Sequence, residues 1–190
     1  MPGYPEFAKC LSTPEPPELG PGPRAGVRSE ADLNRELDRL LARAEVGTER
    51  AQLIRALVLL WHDHLDAGHT LAQSVDGANG AFVHGIMHRR EPDFGNATYW
   101  FRRVGRHGAF AALARRVGTL LDPASESELQ RRLIRSGAWD PFAFIEECEH
   151  VATDAGSTRR KELLRQVQRS ESEVLLEWLC GLANEDGVME

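Results

Sequence analysis

The chain has 190 residues, a formal net charge of −6, a pI near 5.7 and 42% hydrophobic residues, a length suited to one domain with one sizeable core. The acidic balance argues against a general nucleic-acid binder, whose affinity rests on neutralising phosphates. Cys10, Cys148 and Cys180 are far apart in sequence and odd in number, which excludes a disulfide framework and fits isolated thiols in a reducing compartment. With no basic start before an apolar run and no apolar stretch long enough to span a bilayer, the expectation is a soluble cytoplasmic protein.

Residues 1–28 hold seven of the ten prolines and few large aliphatic side chains. Such a segment buries too little apolar area to offset the entropy of ordering, so it reads as a flexible arm ahead of a helical domain over 29–190. From Ser29 the pattern is helical. Ser29 is a cap residue with acidic first-turn company, and Leu33, Leu37, Leu40 and Leu41 recur on one face. The spacing predicts a second helix from about Thr48 towards Val75, then a turn over Asp76–Gly80 with Asn79 as the next cap. A short helix over about 80–90 must stop before Pro92. Helices follow over about 96–104, 108–121, 125–135, 141–153 and 158–181. Asp122-Pro, Asp140-Pro and Ser157 supply start signals. No alternating strand pattern occurs, and the fold class is all-α, a single-domain bundle of seven or eight helices.

On the 48–75 helix, His62, Asp66, His69 and Gln73 share one stripe, and on the next helix His84 and His88 lie four apart, offering two imidazoles on one face. If the two helices fold back about the 76–79 turn, a rise of about 1.5 Å per residue brings Asp66, His69, His84 and His88 level, while His62 overshoots. Ala81 and Gly85 flank His84, and small side chains there favour close helix approach. Three imidazoles and a carboxylate suit zinc, iron or manganese. Glu91 is then the candidate catalytic proton acceptor for a metal-activated water. Glu147-Cys-Glu-His150 has the E-x-x-H form of helical di-iron proteins, but the bridging carboxylates that such a centre needs have no candidates. The His62-Asp63 pair lacks the upstream histidine of metal phosphohydrolases.

Between His84 and Arg116 there are seven arginines against only Glu91 and Asp93. Arg89, Arg90, Tyr99, Arg102 and Arg103 are the candidate residues for a small anionic substrate, because guanidinium groups pair bidentately with phosphate or carboxylate beside an aromatic ring. Cations at the ends of helices also complement the carbonyl dipole, which alone accounts for arginines at these places.

The segment H-G-I-M-H-R-R-E-P-D-F-G-N-A-T-Y-W-F-R-R-V-G-R-H, with Asp63 through Gln73 upstream, resembles a family of bacterial and fungal proteins. These read H-x-I-x-H-R-R-E-x-D, then Y-W-[FW]-R-[RK], after D-x-L-x-x-x-H-x-[IL]-x-Q. The likeness covers about residues 57–107 and implies no activity. It groups His69, His84 and His88, and departs at Gly108, where such proteins carry proline. Two readings follow: a metal-dependent hydrolase acting on a small anionic substrate, or a non-catalytic binding or scaffold protein whose histidines and arginines form a structural hydrogen-bond network.

Overall fold

The computed structural model describes residues 3–121, 127–153 and 158–181. Among these are ten helices and one two-stranded hairpin, which confirms the all-α class but exceeds the expected seven or eight helices, because residues 4–9 are helical and the 48–75 helix is split in two. Helix α1 (Tyr4–Lys9) is followed by α2 (Glu30–Leu41), α3 (Thr48–Trp61), α4 (Leu65–Ala72), α5 (Gly77–Arg90), α6 (Phe94–Val104) and α7 (Ala109–Leu121). Helix α8 (Ser127–Leu133) leads into β1 (Ile134–Arg135) and β2 (Ala138–Trp139), which pair antiparallel before α9 (Pro141–Thr153) and α10 (Thr158–Leu179). No helix among the described residues is long and apolar enough to cross a membrane.

Local signals place several of these ends. The Ser29 hydroxyl accepts from the Asp32 N–H at 3.2 Å, and Asp140 Oδ1 accepts from the N–H groups of Phe142 and Ala143 at 3.0 Å each. These bonds satisfy donors that a helix start leaves without partners. The Asp122 and Ser157 start signals lie outside the described residues. Helix α5 begins at Gly77 after Asp76, so Asn79 sits inside its first turn rather than at its cap. Asn79 Oδ1 instead accepts from the Trp178 indole N–H at 3.0 Å and from His107 Nε2 at 2.9 Å. The Trp178 ring covers Gly108, where a β-carbon would stand 2.3 Å from the indole, so this position takes no larger residue without a shift of that ring.

The helix expected over 48–75 is broken. It stops at Trp61 and restarts at Leu65, with Asp63 at φ 67, the left-handed region that aspartate tolerates better than most residues. Long-range charge holds the break open. The Asp63 carboxylate, 1% exposed, accepts from Arg24 Nη1 at 2.5 Å, from the Arg24 backbone N–H at 2.9 Å and from Arg90 Nη2 at 2.6 Å. Gly22 at φ 86 passes so close that a β-carbon there would lie 2.7 Å from the Asp63 carboxyl carbon.

The segment expected to be a flexible arm is docked by the same contacts. Phe7, Cys10 and Leu11 enter the core, as a segment poor in aliphatic side chains can do at a few points. Its backbone carbonyls are taken by donors from the body. Arg90 donates to Glu18 and Gly20 at 3.2 Å each, Gln168 to Glu18 at 2.9 Å, Arg165 to Pro16 at 2.7 Å, and His62 Nε2 to Cys10 at 2.8 Å. Composition underestimates such a segment because hydrogen bonds from buried donors of the body hold it as well as its few apolar anchors.

Removing one member of a buried ion pair strands its partner, at a cost of about 3–5 kcal/mol. Asp63→Ala is therefore expected to lower the unfolding free energy by about that amount and to open residues 13–24 to limited proteolysis. Asp38→Ala, which breaks an exposed pair with Arg55, is expected to cost no more than about 1 kcal/mol. Denaturant unfolding of the two variants checks the contrast.

Candidate functional site

Helices α4, α5 and α6 bring His69, His84 and His88 together. Ring centroids are 5.3 Å apart for His69 and His84, 5.5 Å for His69 and His88, and 6.2 Å for His84 and His88. The i, i+4 spacing on α5 keeps His84 and His88 roughly parallel at 19°, and His69 meets both edge-on from α4. The turn that folds α4 against α5 lies at residues 73–76 rather than 76–79, and it brings His69, but not Asp66, to the two histidines of α5. The small residue beside His84 serves a different neighbour, since Gly85 lies under the Phe101 ring of α6, where a β-carbon would stand 2.5 Å from it. That close approach lays the neighbouring Trp100 flat on His84, with centroids 4.0 Å apart and planes 10° from parallel.

Hydrogen bonding fixes the His84 tautomer. Its Nδ1 lies 3.3 Å from the Gly80 carbonyl, an acceptor, so Nδ1 carries the proton and Nε2 presents a lone pair. His84 is 2% exposed, and that Nε2 is buried with no hydrogen-bond partner. An unsatisfied buried acceptor costs about 1–3 kcal/mol. Burial pushes the His84 pKa down to about 4, against the help of the Gly80 bond and with a smaller contribution from His69 and His88.

Glu91 caps α5 with Oε2 3.1 Å from His88 Nδ1, at ion-pair distance but without hydrogen-bond alignment, so Nδ1 joins the buried ring nitrogens that lack a partner. Glu91 therefore stands behind His88 and faces its Nδ1. Asp66 is exposed one turn before His69, and its carboxylate makes no ion pair or hydrogen bond among the described residues. Among the described residues no group of three or more His, Cys, Asp or Glu side chains is arranged to hold a metal ion. His62 stays out of the cluster: its Nδ1 accepts from the Arg28 N–H at 3.1 Å and its Nε2 serves the arm.

The expected anion-binding arginines divide. Arg89 is fully buried, paired with Glu171 through both carboxylate oxygens and stacked over Phe144 at 4.3 Å. Arg90 spends its guanidinium on Asp63 and on the carbonyls of Leu60, Glu18 and Gly20. Neither offers a donor to solvent. Tyr99 is 50% exposed, Arg102 is exposed, and the Arg103 guanidinium lies 5.4 Å from the Trp100 ring and 5.9 Å from Tyr99. The E-x-x-H pair is separated as well, because Glu147 is buried between Arg132 and Arg160 while His150 is exposed. Two members of the centre were not singled out from sequence. Trp100 showed only as part of an aromatic run, and Gly80 contributes a carbonyl that no side-chain pattern reveals.

No family model, curated protein or solved structure matches the chain.

His84 and His107 are both depressed from 6.5 to about 4, chiefly by burial, and burial lowers His62 as well. Unfolded imidazoles take up protons near 6.5 while the folded ones resist, so these groups contribute stability above that value and lose it as the pH falls, down to about 4 for His84 and His107. Each adds a slope of up to about 1.4 kcal/mol per pH unit in that window. Chemical unfolding at pH 7 and about pH 5 is expected to show the loss, and His84→Phe, which keeps the stack on Trp100, is expected to flatten the slope.

Proposed function

We propose that the α4–α5–α6 cluster is a tri-imidazole site for a divalent transition metal, zinc, iron or manganese, and that the bound ion serves hydrolysis of a small anionic substrate. The observation that carries this reading is the buried, partnerless Nε2 of His84 at the centre of three imidazoles. Metal-ligating histidines hold their other ring nitrogen on a backbone carbonyl or carboxylate. His84 has the Gly80 carbonyl on Nδ1 and His88 has Glu91 beside Nδ1, which leaves Nε2 of each as the ligand atom. Because Trp100 and Gly80 hold the His84 ring, His69 and His88 are the rings that turn to complete the donor set.

In this reading Asp66 is outside the ligand set and Glu91 orients His88, a different task from accepting the proton of a bound water. An ion held by the three imidazoles would supply Lewis acidity and make a water more acidic. Arg103, with Tyr99 and Arg102, is the cationic group left to meet an anion, since Arg89 and Arg90 are spent inside the fold.

The second reading is a non-catalytic polar network that fixes the packing of α4, α5 and α6. It is favoured by the absence, among the described residues, of a donor set already gathered on one point. The two readings separate in elemental analysis of protein expressed with metals supplied. The metal reading expects near-stoichiometric metal that is lost in His69→Ala, His84→Ala and His88→Ala. It also expects Glu91→Gln to weaken affinity by about 10–100-fold, the usual effect of removing a ligand-orienting carboxylate. Metal-free wild type supports the network. For the anionic substrate, phosphate or a dicarboxylate is expected to raise the melting temperature of wild type and leave Arg103→Ala unchanged.

A further inference from the structure

A cavity of about 210 Å³ lies where the arm meets the body, and it shares no residue with the histidine cluster. Leu19 of the arm, Phe94 at the start of α6 and Val151 of α9 give it apolar walls, Lys161 and Arg165 on α10 give it two cationic groups, and Glu18 of the arm, which faces Arg165, also lines it.

The two cations are in different states. Arg165 is already balanced: Nη1 donates to Glu162 at 2.9 Å, Nη2 donates to the Pro16 carbonyl at 2.7 Å, and Glu18 stands 3.4 Å from Nη2. Its Nε, however, is buried and has no acceptor. Lys161 is half-buried and has no hydrogen bond or ion pair among the described residues. With Arg165 spent on its own partners, the Lys161 ammonium is the cation at this apolar cavity left without an acceptor, and an anionic group seated there would supply one.

Size narrows the ligand further. An apolar cavity of about 150 Å³ accommodates one benzene, so 210 Å³ leaves room for a ring and a carboxylate. We propose that this cavity binds a small monocarboxylate with a compact apolar body, an aromatic acid of about the size of benzoate. Its carboxylate meets Lys161, and its ring packs against Leu19, Phe94 and Val151. Cys148 also lines the wall, and burial pushes its thiol up to about 12, so it stays protonated and binding is non-covalent.

Calorimetric titration of the full chain with benzoate and with benzamide tests this. Benzoate is expected to bind one per chain with a millimolar or tighter Kd, and benzamide, which has the shape without the charge, at least about tenfold more weakly. Lys161→Met is expected to lose at least about tenfold in benzoate affinity. Ala152→Trp is expected to abolish binding by filling the cavity from an exposed wall position. Both substitutions lie outside the core, so an unchanged circular dichroism spectrum and melting temperature without ligand certify the fold. The proposal is overturned if benzoate gives no saturable heat up to about 10 mM, if benzamide binds equally well, or if either variant binds benzoate as the wild type does.

Discussion

The fold turns on one carboxylate. Asp63 sits between two arginines in a place that water does not reach, and three separate pieces of chain end on it: the arm through Arg24, the close of α3 through its own backbone, and the close of α5 through Arg90. Desolvating one anion and two cations is expensive, and buried pairs seldom return more stability than well-packed apolar residues do. What such a group contributes is definition, since a guanidinium held bidentately or by several carbonyls admits one geometry. Arg90 also donates through Nε, Nη1 and Nη2 to backbone carbonyls of α3 and the arm. The C-terminal end of α5 is thereby fixed relative to α3, and the adjacent Arg89 fixes it to α10 through Glu171.

That anchoring decides what the histidines can do. His84 and His88 lie on the helix whose last two residues are fixed, so the positions of their backbones are set by ion pairs rather than by the imidazoles. Phe101 against Gly85 draws α6 onto the same helix and carries Trp100 over His84. An imidazole stacked on an indole and bonded at Nδ1 is held in one plane, neutral over the physiological range because burial lowers its pKa. The buried lone pair on Nε2 is the consequence. A network selected only for packing would give both ring nitrogens a partner, as the fold does for His107, which donates to Asn79 Oδ1 and accepts from the Ala109 N–H, and for His62, which donates to the Cys10 carbonyl and accepts from the Arg28 N–H. The contrast between those satisfied histidines and His84 is the physical reason for treating this cluster as a site.

Much of this was legible along the chain, and the part that was not shares a cause. Helix α2, the Asp140 cap and the α10 stripe are local, so periodicity and cap chemistry found them. The meeting of His69 with His84 and His88 followed from rise per residue and one turn. The break at Asp63 had no local signal, because the apolar period runs on through 48–75 and the partners that stop it are 39 and 27 residues away. Arg89 and Arg90 looked like helix-end cations open to an anion. Their true partners, Glu171 and Asp63, lie 82 and 27 residues away. The docking of the arm is hidden in the sequence for the same reason, since its carbonyls are bound by arginines that composition counts as surface charge.

The histidine cluster and the carboxylate cavity are neighbours through the turn that joins α5 to α6. Glu91 faces His88, and three residues later Phe94 lines the cavity, with Pro92 beside it. Contiguity alone does not couple two sites; coupling needs an element between them with two discrete arrangements. This turn is tied into one. The Asp93 N–H donates to the His88 carbonyl at 2.9 Å, and the Asp93 carboxylate accepts from the Asn96 N–H at 3.1 Å and its side-chain amide at 2.6 Å. A group seated against Phe94 meets a rigid bracket rather than a hinge. The turn therefore holds the start of α6 against the end of α5 on both sides at once.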